Sequence, residues 1–294
     1  MSFLKKLWCK LLDLLGIKHQ HYQSAPTPMP TPTEPEDPNP VWDGGGGPPS
    51  GWIPDHTDLR DYVFEERSLA KDRSTLPAEV DLRARFRTAV ENQGSTNSCV
   101  GHATTSALEA VLRSTVDRSR LFVYWNARSF EGTTASDPGC QIRNAMRGVS
   151  TYGASTEALW PWNTSALRTK PSAAAYTDGL TVRPMIASYQ RVTTVLGLKE
   201  ALAKGLPVVF GFSMTHTFVY STGTTGHLPY PATGEKFYGG HAVVAVGYSD
   251  AMKTVLVRNS YGSGWGKDGY FTMDYKWFDN MNGLVADAWV IVPK

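Results

Sequence analysis

Gln93-Gly94-Ser95-Thr96-Asn97-Ser98-Cys99 sets a lone cysteine at the head of a helical run. Beyond it, Ala103, Ala107, Leu108, Val111 and Leu112 recur at three- and four-residue steps, which predicts a helix over 99–114. Leu121–Arg128 and Ile142–Ser150 read as two further helices, the latter stopped by Gly153. After Leu180 the texture changes. Apart from a short helix at 198–203, β-branched and aromatic runs fill 207–212, 242–248, 254–259, 269–273 and 287–291, punctuated by Gly and Asn. A helical first half and a β-rich second half predict an α+β protein of two lobes.

The β half carries two polar landmarks, Gly240-His241-Ala242 and Asn259-Ser260-Tyr261-Gly262-Ser263-Gly264-Trp265-Gly266. A thiol, an imidazole and a carboxamide in this order suit covalent acyl transfer, in which the imidazole moves the proton and the amide fixes its tautomer. Placement of Cys99 at a helix start favours the thiolate through unpaired N–H groups and the helix dipole. Of seven histidines, His241 alone follows a Gly-Gly pair into a strand. His19 and His21 fall in a proline-rich stretch, His56 precedes the helical half, and His102 lies on the same helix as Cys99, pointing to the core. His216 and His227 have no motif around them.

These motifs resemble the papain-like cysteine proteases, over roughly residues 77–292. Leu76-Pro77-Ala78-Glu79-Val80-Asp81-Leu82-Arg83 is similar to the start of the mature enzyme, and Asn259–Gly266 to the family's Asn-Ser-Trp-Gly-x-x-Trp-Gly. The resemblance implies a papain-like fold, a helical lobe (about 99–178) followed by a β-barrel-like antiparallel lobe (about 180–292), with the active-site cleft between them. It implies Cys99 as nucleophile, His241 as base, Asn259 as its orienter and Gln93 as oxyanion donor. Trp265 is expected to shield the Asn259–His241 bond, and Gly139, Cys140 and Gly240 to bind substrate. Asp287 is expected at the floor of the pocket for the second residue upstream of the cut, favouring Arg or Lys, against a solvent-facing or turn-capping role. Thr96 replaces the cysteine of the family's nearby disulfide, Val100 an aromatic, and Gly139-Cys140-Gln141-Ile142 the Gly-Gly of the cleft wall. The expected activity is that of an endopeptidase on protein or peptide substrates. The same chemistry admits a cysteine amidase or transpeptidase on peptidoglycan or isopeptide bonds, and a tethered non-catalytic scaffold is the third reading.

Composition narrows the rest. Net charge is +2 with no basic run, which gives no sign of a nucleic-acid partner. No Cys/His spacing suggests zinc, and no metal or cofactor is expected. Three cysteines, Cys9, Cys99 and Cys140, cannot all pair, which fits either a reducing compartment or a protein with no structural disulfide; the expected location is cytoplasmic or otherwise reducing, peripheral to a membrane or part of an assembly. Residues 1–18 read as an amphipathic helix, with Leu4, Leu7, Trp8, Leu11, Leu14 and Leu15 on one face. Docking of residues 3–15 on a membrane surface or protein groove, and packing on the chain's own domain, both fit it. Lys10 and Asp13 break it as a signal peptide, and no run spans a bilayer. Residues 19–50 are a Pro/Gly-rich linker. Residues 51–76 read as an extended strap ahead of a catalytic domain at 77–294. With no long helical pro-region ahead of Leu76, the usual zymogen control is expected to be absent or replaced. The sequence leaves the oligomeric state open.

Overall fold

The structure, a computed structural model, describes residues 50–64 and 76–294. The expected amphipathic helix at 1–18, the linker up to residue 49 and part of the strap, 65–75, lie outside the described residues.

The elements run β1 (Glu79–Asp81), α1 (Cys99–Leu112), α2 (Arg120–Glu131), α3 (Ile142–Tyr152), α4 (Ala173–Val182), β2 (Ile186–Val192), α5 (Val195–Ala203), β3 (Val208–Thr215), β4 (His227–Leu228), β5 (Phe237–Ser249), β6 (Thr254–Arg258), β7 (Tyr270–Asp274) and β8 (Val285–Pro293). Helices end where local chemistry stops them. α2 starts on Ser119, whose hydroxyl accepts the Phe122 N–H at 3.1 Å, and stops at Gly132 in the left-handed region. α3 stops at Gly153, the residue expected from the sequence.

The strands form one sheet in the order β2-β8-β3-β5-β6-β7-β4, with β1 beside β5. All pairings are antiparallel except β4 with β7. The 13-residue β5 organises it. Val243 and Ala245 face one core with Phe210, Phe212, Phe271 and Trp277. Ala242, Val244 and Val246 face a second core with Leu108, Val123, Ile142 and Met146 of the helices. Burial on both faces explains why Ala242-Val243-Val244-Ala245-Val246 is an unbroken apolar run, where a one-sided strand alternates. β5 is thus the wall between two lobes. α1 lies against it, so the start of α1 and the His241-Ala242 stretch of β5, five and six residues into the strand, share one seam.

Four elements escaped the sequence reading for physical reasons: the strands β1 and β4, of three and two residues, are too short to show a pattern, and β2 and α4 lack one. β2 (Ile186–Val192) pairs with β8 on one side, meets the strap on the other at a single Val63–Arg191 bridge, and carries an exposed or half-buried polar run, Ala187 to Arg191, which lacks the apolar signature of an inner strand. In α4 only Ala175, Gly179 and Val182 are buried, too narrow an apolar stripe to register.

Candidate active site

Cys99 is the first residue of α1 and is completely buried. The N–H of Ala242, the residue after His241, donates to its sulfur at 3.4 Å. The N–H groups of Gly51, Val100 and Cys99 itself also face the thiol. His241 leads the inner face of β5, and its Nε2 bonds Asn259 Oδ1 at 2.8 Å. Oδ1 also accepts the Ser260 N–H at 2.8 Å, which fixes the carboxamide so that it accepts from the imidazole. The His241 tautomer that follows carries its proton on Nε2 and a lone pair on Nδ1. Nδ1 is buried with no protein hydrogen-bond partner.

Gln93 is held from both sides. Its Oε1 accepts the Ser260 hydroxyl at 2.6 Å, its Nε2 donates to Thr96 O at 2.8 Å, and its backbone N–H donates to Ser260 O at 2.9 Å. One Nε2 hydrogen stays free. Ser260 therefore ties the Asn259 motif to the loop before Cys99, a role visible in the sequence only as the residue next to Asn259.

The ring on the imidazole is Tyr261, stacked at 4.9 Å and 28°. Trp265, expected to cover the Asn259–His241 bond, stands edge-on behind Tyr261 at 5.7 Å. Phe212 and Phe218 close the other sides at 5.9 and 5.7 Å. The aromatic cover is shared between two layers because Tyr261 stands where the family motif has its first tryptophan.

Residues 51–76 were expected as a strap over the domain; the described part, 51–64, with Ser50 ahead of it, threads the seam itself. Gly51 O accepts the Cys140 N–H at 2.9 Å and the Ile53 N–H donates to Cys140 O at 3.1 Å. On the opposite wall the Trp52 N–H donates to Gly240 O at 3.3 Å, and the Gly240 N–H donates to the Ser50 hydroxyl at 3.1 Å. The Trp52 indole is 6% exposed. It lies over Gly211 and Gly240, where any Cβ would come within 2.1 and 2.7 Å of its ring. Its Nε1 donates to Asp287 Oδ2 at 3.1 Å. Asp287, buried, also accepts from the Asp55 N–H at 2.7 Å and from Arg191 at 3.1 Å. The structure thus gathers Cys99, His241, Asn259 and Gln93 into one seam. Gly139, Cys140, Gly240 and Asp287 line the strap's path, and Trp265 sits behind the aromatic cover. No sequence signal marked Trp52, because a lone tryptophan between Gly51 and Ile53 has no pattern.

With water excluded, burial pushes the Cys99 thiol up to about 12, against its four facing N–H groups, and pushes the His241 imidazole down to about 4, against its bond to Asn259. The low thiol pKa expected from a helix start is overridden. In this strap-closed form the uncharged thiol and imidazole are favoured.

Comparison with known proteins agrees with this geometry. Residues 76–289 match the papain family of cysteine proteases. An uncharacterized peptidase C1-like protein of Acanthamoeba polyphaga mimivirus is 36% identical over 249 residues, covering 79% of this chain and 74% of that one. Pro-cathepsin H of Mus musculus is 28% identical over 235 residues, covering 74% of this chain and 66% of its own length. Among solved structures, xylellain, a cysteine protease from Xylella fastidiosa, superposes with a TM-score of 0.75 at 33% identity, covering 83% of this chain and 96% of that chain. The chain belongs to the papain family of cysteine proteases and is a cysteine peptidase with the α+β fold of that family. Family membership makes proteins or peptides its substrates. Among the described residues no helix is long and apolar enough to cross a membrane, and no cluster of His, Cys, Asp or Glu could hold a metal ion.

Proposed function

We propose that the chain is an endopeptidase that cuts through a thioester on Cys99 and that its own strap closes in the described form. The observation that carries this is the unpartnered His241 Nδ1, its Nε2 fixed by Asn259, on the residue preceding the N–H that touches the Cys99 sulfur. Nδ1 takes the thiol proton, and the thiolate attacks the carbonyl carbon. The oxyanion is met by the Cys99 N–H and the free Gln93 Nε2 hydrogen. His241 then gives its proton to the leaving amine, which departs and leaves the thioester. A water loses a proton to Nδ1, attacks the thioester, and the thiol regains its proton as the acid leaves.

The strap supports the assignment of the walls. It pairs with main-chain groups of Cys140 and Gly240, which are free to pair with an extended peptide once the strap withdraws. At the thiol it offers the Gly51 N–H, while the Gly51 carbonyl is taken by Cys140. The strap is thereby an occupant whose Gly51 carbonyl is turned away from attack. Arg191 already answers the Asp287 charge, so the pocket vacated by Trp52 has lost its reason to prefer Arg or Lys and suits a large ring with a donor. Cleavage of a peptide library by the full chain tests the reading. Cys99→Ala should abolish cleavage with the thermal transition of the wild type retained, and cleavage surviving in that variant would reject it.

A further inference from the structure

Beyond Trp52 the strap enters a cluster of buried charge whose signs do not balance. Asp55 has a completely buried side chain. Its Oδ2 accepts from Arg191 of β2 at 2.9 Å and from the Trp289 indole of β8 at 2.8 Å, and its Oδ1 accepts the Arg143 N–H of α3 at 3.2 Å. Asp287 of β8 bonds the other arm of the same guanidinium at 3.1 Å and takes the Asp55 N–H. Asp61, farther along the strap, is shared by Arg143 at 2.6 Å and Arg191 at 3.1 Å. Three carboxylates thus meet two guanidiniums. The strap's Asp58 and Arg60 pair with each other at its exposed edge and leave that count unchanged. Of the other charged or titratable groups nearby, Arg147 lines the outer cavity with Asp61 and lies over the Phe130 ring, and His56 is exposed and acts on Glu131, so neither meets the Asp55 carboxylate; the buried Cys140 thiol is uncharged and Tyr189 is neutral in the physiological range. A cavity of about 500 Å³ lined by Asp61, Arg143, Arg147 and Tyr189 gives Asp61 access to water. Asp55 has none.

We propose that the strap is a pH-gated plug of the catalytic cleft, held tightest in acid and weakest at neutral and alkaline pH, with Asp55 as the group that takes the proton. The proposal rests on the reading of the cleft as the catalytic site. An excess negative charge away from water is neutralised most readily by a proton. Burial first, and the Asp287 charge second, push the docked Asp55 carboxyl up to about 7, against the bonds from Trp289, Arg191 and Arg143. On a withdrawn strap the same carboxyl is in water, with an ordinary pKa of about 3.9. Its pKa is raised in the docked form, so the docked form binds the extra proton between these two values. Docking strengthens by about tenfold for each pH unit below 7 down to about 4, and is flat above 7. This is the reverse of a latch of simple salt bridges, which acid would loosen.

Hydrogen exchange of the strap reads the docking directly and without catalysis. The Trp52, Ile53 and Asp55 amides are bonded to Gly240, Cys140 and Asp287 only in the docked form. In full-length Cys99→Ser protein, their protection factors, corrected for intrinsic exchange, should fall about 10- to 100-fold from pH 5 to 7 and level off above the raised pKa of the docked form. Asp55→Asn should make them independent of pH. A flat wild-type profile, a rise in protection with pH, or a slope that survives Asp55→Asn would each overturn the gate. The wild-type strap sequence alone decides the first two outcomes, so the test stands if Asp55→Asn fails to fold. Failure of the catalytic reading would show separately, as absence of peptide cleavage at any pH.

Discussion

At the residue scale, the proposed chemistry depends on two carboxamides held in one orientation each. Asn259 accepts from His241 because the Ser260 N–H occupies the same oxygen, and Gln93 turns its Nε2 inward because the Ser260 hydroxyl holds its Oε1. A donor aimed at the oxyanion acts in the transition state and not on the bound substrate. Gln93→Ala should therefore lower kcat by about 10²–10³-fold with KM nearly unchanged, as steady-state kinetics on a short peptide would show. An equal loss carried by KM would place Gln93 in substrate binding. The four proposed catalytic residues could be named because the reaction dictates their types and the motifs their neighbours. Tyr261 was not, since a stacked ring is chosen by three-dimensional shape, and only its place in the Asn-Ser-Tyr-Gly run hinted at it.

At the scale of elements, the proposed function makes the strap the gate of the site. Its composition showed that order resumes near Gly51, but its path could not be read. That path is set by Gly211 and Gly240, two positions on different strands that leave space for one indole. The helices and inner strands were legible for the opposite reason, since their apolar periodicity is a local property. Burying an indole contributes about 2–3 kcal/mol to strap docking, so Trp52→Ala should raise kcat/KM roughly 30- to 150-fold, at about 1.4 kcal/mol for each factor of ten. Assay of the variant against wild type at pH 5, where docking is expected to be tightest, measures this. An unchanged kcat/KM would mean that the strap is not what limits access.

At the scale of the whole molecule, two apolar cores meet at one two-faced strand, β5, and the proposed catalytic groups Cys99 and His241 meet at its His241-Ala242 stretch. Cys99 belongs to the helical core and His241 packs against Phe212 and Phe218 of the sheet core, so the proposed reaction draws on both lobes. The two-lobe α+β plan was legible from the change of texture near Leu180. That β5 is buried on both faces was not deduced, although its unbroken apolar run carried the information. The account rests on a nucleophile at that seam, and intact-mass analysis after treatment with an epoxide inhibitor of thiol proteases tests it most directly. The account predicts one adduct per chain, on Cys99, formed faster in Trp52→Ala, slowed strongly in His241→Ala and missing from Cys99→Ala. An adduct on Cys140 or Cys9 in place of Cys99, or equal labelling of the His241→Ala and wild-type proteins, would contradict it.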